Sequence, residues 1–451
     1  MDTSELLKDA ATRAARYLAS LADRRVAPDA EAVAALARLR TPLPGTGTAP
    51  DAVLAELDEA ASPATMAMAG PRFFGFVIGG AQPVTLAANA LATAWDQNTA
   101  FHQVTPGTAT LEDVALAWLR ELLGLPEGVA AGFVSGATMA NATALAAARH
   151  RVLADAGWDV EAEGLFGAPP VQVVVGAEVH PSVRKALGLL GMGKARVQEV
   201  EVDGQGRMRA DRLPPLTPPA IVILQAGNVN TGAFDPFVEV VDRAHEAGAW
   251  VHVDGAFGMW AAVSPDLRRL TDGMARADSW STDFHKWLNV PYDSGVAFTR
   301  DPAAHAAAMA VTAAYLPSAS ERAPSDYTPE LSRRARGVEV WAALRALGRA
   351  GVVELVERNV RQAQRFAAGL HEAGFEVLND VVLNQVLVSF GEPDRTRAVV
   401  AAVQEDGTCW CGPTVWQGRT AMRISVSSWA TTDADVERCL EAMVRIGRAA
   451  A

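Results

Sequence analysis

Short apolar runs and helical periodicities alternate through most of this chain. Val171-Gln172-Val173-Val174-Val175, Ile221-Val222-Ile223-Leu224 and Val296-Ala297-Phe298 are brief and almost uniformly apolar. Such runs, separated by helical stretches, predict βα units and a buried, mostly parallel sheet. A crossover helix is expected after Gly351, because Val353, Val356, Val360, Ala363, Ala367 and Leu370 recur in steps of three and four and describe one buried face.

The two ends read differently. Residues 1–40 carry Ala, Leu and Arg at helical spacing, and Thr41-Pro42-Leu43-Pro44-Gly45-Thr46-Gly47 breaks that pattern. This predicts an N-terminal helical extension, and such arms often clasp another subunit. Beyond residue 356, segments 375–378, 385–390 and 422–426 read as strands. A last helix is expected near Thr432, where Thr432 and Asp435 resemble a capping box. The expected organisation is an arm over 1–75, a large α/β domain over 76–355 and a small α+β domain over 356–451.

Composition narrows the class. With 451 residues, 50% hydrophobic and 20% charged, the chain has enough material for a large core. A net charge of −12 argues against a nucleic-acid binder, which needs a basic stripe to follow phosphates. No uncharged apolar run approaches the roughly 18 residues of a membrane span. Met1-Asp2-Thr3-Ser4-Glu5 lacks the basic start of a signal peptide, so a cytoplasmic location without membrane contact is expected. Cys409-Trp410-Cys411 has no second Cys pair or nearby His to complete a metal site, and the three cysteines read as free structural thiols. No metal is expected.

The chemistry concentrates in a few places. Lys286 lies in Ser281-Thr282-Asp283-Phe284-His285-Lys286-Trp287, and Asp254 in Trp250-Val251-His252-Val253-Asp254-Gly255-Ala256. One lysine and one acid, each closing a buried strand, suit pyridoxal 5'-phosphate: the amine tethers the aldehyde and the acid pairs with the ring nitrogen. Phe284 and Trp287 make a desolvated, reactive lysine plausible on physical grounds. Asp254 would keep the ring protonated by charge attraction, although a strand-end acid capping a turn is the plain reading. Ala256 offers a small methyl to a ring face.

Three further elements join them. Ser135-Gly136-Ala137-Thr138 opens a helix whose first amides suit a phosphate, though an ordinary helix cap reads the same way. His180, after a predicted strand, could stack on a flat ring or be a loop histidine. Tyr327 ends a stretch from Pro317 expected to be mobile, and it either delivers a proton over the site or simply packs. Gly188-Leu189-Leu190-Gly191-Met192-Gly193-Lys194-Ala195 imitates a nucleotide-binding loop. Ala195 replaces the Mg²⁺-binding hydroxyl, and the segment ends a helix rather than starting one.

Taken together, these motifs resemble the group II pyridoxal-phosphate-dependent amino-acid decarboxylases, which include the aromatic-amino-acid and glutamate enzymes. The resemblance extends through Pro71-Arg72-Phe73-Phe74-Gly75-Phe76, Thr105-Pro106-Gly107-Thr108, Asn230-Thr231-Gly232-Ala233-Phe234-Asp235-Pro236 and Met422-Arg423-Ile424-Ser425. It implies fold type I, the aspartate-aminotransferase-like architecture, and a homodimer with its site at the subunit boundary. It also implies that Lys286 carries the cofactor, Asp254 faces the ring nitrogen, and His180 stacks on the ring and steers the substrate carboxylate. Ala137, Thr138 and His285 would meet the phosphate, and Tyr327 would protonate the carbanion. Asn228-Val229-Asn230 departs from the family's Thr-rich stretch.

The leading expectation is α-decarboxylation of an L-amino acid to an amine and CO₂. Transamination, or oxidative decarboxylation to an aldehyde, is the alternative on the same fold, and a silent cofactor- or partner-binding protein is the reading from another class. Phe73, Phe74, Phe76, Trp95, Phe101 and His102 favour an aromatic or apolar substrate, or else belong to the core. Arg423 reads either as a substrate-carboxylate contact or as a brace of the small domain.

Overall fold

The computed structural model describes residues 2–311 and 322–450. The first part of the stretch expected to be mobile, residues 317–321, lies outside them. Two compact units are present: residues 81–361 with 379–385, and residues 1–80 with 362–378 and 386–451.

The larger unit is built on seven strands. These are β1 (Ala130–Val134), β2 (Gln172–Gly176), β3 (Gln198–Val200), β4 (Ala220–Gln225), β5 (Trp250–Asp254), β6 (Ser279–Asp283) and β7 (Gly295–Thr299). They lie in the order β1-β7-β6-β5-β4-β2-β3. Strands β2 to β6 pair in parallel, as the apolar runs predicted. The Val296–Phe298 run proves to be the antiparallel member, β7, running against both β1 and β6. The reason is its connection: a parallel neighbour needs a long crossover, whereas residues 284–294 make a short return. That return carries Lys286, so the tight reversal fixes the lysine at the carboxyl edge of the sheet.

Helix Ala137–Asp155 packs across β5, β6 and β7. Its Ala140, Ala144, Ala147 and Ala148 are all buried, and small side chains let its backbone come close to the strands. The helix expected after Gly351 begins earlier, spanning Gly337–Glu372 with a break at Gly348, whose φ of 58° is left-handed. On the expected face Val356, Val360, Ala363 and Leu370 are buried. The segment imitating a nucleotide-binding loop follows helix Pro181–Leu189 and does not lead from a strand into a helix. Among the described residues no helix is long and apolar enough to cross a membrane.

The other unit holds a four-stranded sheet, β8 (Glu376–Val377), β9 (Gln385–Ser389), β10 (Gly412–Trp416) and β11 (Arg419–Ser425), ordered β10-β11-β9-β8. Strand β10 escapes the sequence pattern because it starts Gly-Pro and alternates only partly buried positions, as an edge strand can. Thr432 and Asp435 do form a reciprocal capping box on helix Asp433–Ala449. Phe73 stacks on Trp410 at 5.1 Å and Phe74 meets Phe366 edge-on at 5.1 Å, so both belong to the core of this unit. Cys409, Cys411 and Cys439 are free and buried. Helix Thr3–Ser20 begins this unit, and none of its residues is fully buried within this chain.

Candidate active site

Register across the sheet brings the chemistry to one edge. Gln225, Asp254 and Ser281 are paired neighbours on β4, β5 and β6, and Asp283 pairs with Gly295 one step further out. Carboxyl ends of strands in open α/β sheets are where ligands bind.

Lys286 sits just beyond β6. Its loop is pinned by Trp287, which is buried and donates Nε1–H to Asn359 Oδ1 at 3.0 Å, and by Asn289, which donates to the carbonyls of Lys286 and Trp287. The Lys286 ammonium lies 2.9 Å from Asp283 Oδ2, yet its side chain stays 19% exposed. A lysine anchored at its backbone and open at its tip is placed to react with a ligand.

Asp254 closes β5 and is buried. Its Oδ1 accepts the Ala256 amide at 3.2 Å and its Oδ2 accepts Asn141 Nδ2 at 3.1 Å, so the carboxylate is held on two sides. His180 forms the N-cap of helix Pro181–Leu189. Its Nδ1 accepts Ser182 N at 3.2 Å, and its own amide donates to Gln225 Oε1 at 3.1 Å. Gln225 Nε2 also donates to the Glu178 carbonyl at 3.2 Å, so one side chain clamps the turn on both flanks of Val179. Asn228 makes an Asx turn to the amides of Asn230 and Thr231 and holds Glu178 at 3.0 Å. Its job is therefore local loop structure.

The start of helix Ala137–Asp155 is tightly built. A Cβ on Gly136 would fall 2.8 Å from His285 Cε1, and one on Gly295 would fall 2.6 Å from Gly136 Cα. Only glycine lets these backbones approach. The Ala137 amide, expected at a phosphate, donates to Asp283 Oδ1 at 2.5 Å. The next amides, of Thr138 and Met139, have no acceptor within the helix by its geometry. Burial pushes the His285 imidazole below its usual value, which favours the neutral ring. With Nδ1 accepting the Ser294 amide at 3.1 Å, the neutral ring carries its proton on Nε2, 3.6 Å from Asp283 Oδ1. Beside it, the buried hydroxyl of Ser294 has no protein partner.

Tyr327 keeps other company. Its ring meets His305 edge-on at 5.2 Å and lies under the Arg322 guanidinium at 4.8 Å. Its carbonyl accepts His305 Nε2 at 3.0 Å. A Cβ at Gly132 would fall 2.0 Å from that carbonyl, which fixes the residue against the middle of β1. The neighbours of Tyr327 are thus distinct from those of Lys286 and Asp254. Arg423 stands on β11 opposite Gly412, its pKa lowered by burial.

Asn141, His252, Ser281, Gln225 and Asp283 had no role in the sequence reading, yet they hold the site together. For two of them spacing gives the face, though not the partner. His252 precedes Asp254 by two positions on a strand, hence on one face, and Asn141 follows Ala137 by one helical turn.

An amine with an open tip, a fixed carboxylate and a close-packed helix start rich in N–H donors fit pyridoxal phosphate. The comparisons agree. Residues 39–391 match the model of the pyridoxal-dependent decarboxylase conserved domain. L-2,4-diaminobutyrate decarboxylase of Rhizobium meliloti (strain 1021) is 30% identical, over 90% of this chain and 84% of that protein. Tryptophan decarboxylase 1 of Oryza sativa subsp. japonica is 28% identical, over 85% of this chain and 82% of that protein. The crystal structure of Oryza sativa TDC with PLP and tryptamine superposes with a TM-score of 0.91 at 23% identity, covering 99% of this chain and 98% of that one. Mouse CSAD gives 0.88 at 22% identity, covering 98% of each chain. The fold is therefore fold type I, the cofactor is pyridoxal phosphate, and decarboxylation of an amino acid is favoured over transamination or aldehyde formation. The chain belongs to the pyridoxal-dependent decarboxylase family, within its group II amino-acid decarboxylases.

Proposed function

We propose that the enzyme removes the α-carboxylate of an aromatic L-amino acid, with Lys286 as the attachment point of the cofactor and Asp254 as the partner of its ring nitrogen. The observation that carries this reading is the pair of strand ends: Lys286 just beyond β6, Asp254 at the end of the adjacent β5. When bound, pyridoxal phosphate supplies an aldehyde for the amines of lysine and substrate and a ring that accepts the electrons of the broken bond.

The residues divide the remaining work. Asp283 holds the Lys286 ammonium in place until the amine is needed, and the Lys286 amine takes up and returns protons at Nζ. Asp254 would keep a proton on the ring nitrogen by charge attraction. Thr138 and His285 are the phosphate donors in this reading, with the Ala137 amide committed to Asp283. His180, clamped by Gln225, would cover the ring and offer Nε2 to the substrate carboxylate, and Ala256 would pack against the other face. For Tyr327, the contacts with His305, Arg322 and β1 support bracing of the sheet edge rather than proton delivery.

The aromatic preference rests on the tryptophan decarboxylase likeness, while the 30% identity to a diaminobutyrate enzyme names the competitor. A homodimer completes the reading, supported by a helix Thr3–Ser20 none of whose residues is fully buried in its own chain. A cytoplasmic location suits three free thiols. Purified protein with pyridoxal phosphate should release CO₂ from tryptophan, tyrosine or phenylalanine in preference to 2,4-diaminobutyrate and glutamate. Light scattering should give a mass near twice 47.5 kDa. Release from diaminobutyrate alone would overturn the substrate class, and release from none would overturn the reaction.

A further inference from the structure

Behind Asp254 lies a buried polar strip that the chemistry so far has not used. Trp250, His252 and Asp254 alternate along β5, Ser279 and Ser281 along β6, and Asn141 reaches them from helix Ala137–Asp155. His252, Asn141, Ser279 and Ser281 are each 0% exposed. Trp250 Nε1 lies 2.9 Å from Ser279 Oγ, Ser279 Oγ 2.9 Å from His252 Nδ1, and His252 Nε2 2.8 Å from Asn141 Oδ1. Asn141 Nδ2 then reaches Asp254 Oδ2 at 3.1 Å, and Ser281 Oγ supports Asn141 Oδ1 at 2.6 Å.

The two ends of this chain fix its direction. An indole N–H can only donate, and an ionised carboxylate can only accept. From the carboxylate end, Asn141 Nδ2 donates to Asp254, so Asn141 Oδ1 must accept from His252 Nε2. The bare Nδ1 of the neutral ring then accepts from Ser279, whose oxygen accepts from Trp250. Burial drives His252 down to about 3, so the ring is neutral and the order is maintained at ordinary pH.

We infer that Asn141 is a positioning residue for Asp254, aimed by the directed chain from Trp250 through Ser279 and His252. Resting on the reading above, it makes one helix serve both ends of the cofactor, since Asn141 lies one turn after the Ala137–Thr138 start that faces the phosphate. A buried amide donor to a carboxylate stabilises the charged form that a protonated ring nitrogen requires.

The test compares two cofactors on the full chain: pyridoxal phosphate and an analogue whose ring nitrogen is replaced by CH. Dissociation constants are measured by fluorescence for wild type, Asn141→Leu, Ser281→Ala, His252→Gln and His252→Phe. Asn141→Leu should weaken the natural cofactor about tenfold or more, the scale of a lost hydrogen bond to a buried charge, and lower kcat with KM little changed. Its affinity for the CH analogue should stay within about threefold. Ser281→Ala and His252→Phe should show smaller losses of the same selective kind, while His252→Gln, which keeps a donor where Nε2 stood, should resemble wild type. These milder variants decide the matter where Asn141→Leu fails to fold. Equal weakening of both cofactors, or of neither, would overturn the inference. If wild type bound the natural cofactor without the absorption band of a lysine-bound aldehyde, the assignment of Lys286 would fail instead.

Discussion

Two cation–carboxylate pairs in the larger unit serve different ends. Arg333 Nη2 meets Glu112 Oε2 at 2.7 Å with both side chains 0% exposed, and its Nη1 donates to the Thr99 carbonyl at 2.6 Å. Lys286 meets Asp283 at 2.9 Å, but its side chain keeps 19% exposure. The guanidinium is enclosed by its own fold, and its desolvation is offset only while both partners stay. The ammonium is held on one side and open on the other. Enclosure marks the structural pair, and the open side marks the chemical one.

Substitutions should separate the two. Lys286→Arg keeps the charge beside Asp283 but removes the reactive amine, so kcat should fall on the order of 10⁴-fold or more, with the unfolding midpoint nearly unmoved. Arg333→Met leaves buried Glu112 with only the Arg322 guanidinium, 3.6 Å away, and should cost about 3–5 kcal/mol of stability, read by urea unfolding, with CO₂ release per folded molecule unchanged. An Arg333→Met enzyme that is stable but inactive would erase the distinction. Asp254→Asn keeps the shape and loses the charge; kcat should drop roughly 10²–10³-fold, the scale of a lost preorganised electrostatic contact.

A pH series sharpens the comparison further. His252 is held down to about 3 by burial, below its unfolded value of about 6.5. Its contribution to stability is therefore complete above about pH 6.5 and is lost as pH falls toward 3. Asp235, pushed up to about 6 by burial, has the opposite sign: its contribution is complete below its unfolded value near 4 and is lost as pH rises through 6. Urea midpoints between pH 7 and 4 should thus fall less steeply for His252→Gln than for wild type. The smallest effect is expected at Tyr327→Phe, within about threefold in kcat, whereas a loss of about 10²-fold would restore proton delivery to that residue.

Much of the site was legible because each reactive group closes a recognisable segment. Lys286 and Asp254 follow compact buried strands, and His180 follows β2. What stayed hidden depends on pairing. The Val296–Phe298 run looks like any buried strand, and only the short return through Lys286 makes it antiparallel. Asn141 and His252 sit in plain motifs, but their meeting requires the helix to lie across β5, which spacing does not reveal. Tyr327 is hard to place from sequence for a related reason: a Ser/Pro-rich approach suggests motion, while Gly132 on β1 and His305 pack against the residue from distant parts of the chain. For Phe73 and Phe74 the sequence left pocket wall and core both open, and they are core, because Trp410 and Phe366 fill the space beside them.

The chain has four lysines, Lys8, Lys185, Lys194 and Lys286, which makes one measurement decisive. Protein incubated with pyridoxal phosphate is reduced with borohydride, digested and mapped by mass. A stoichiometric cofactor adduct on the peptide containing Lys286, absent from the other three, is the predicted result. An adduct on Lys8, Lys185 or Lys194 in its place, or none at all, would contradict it.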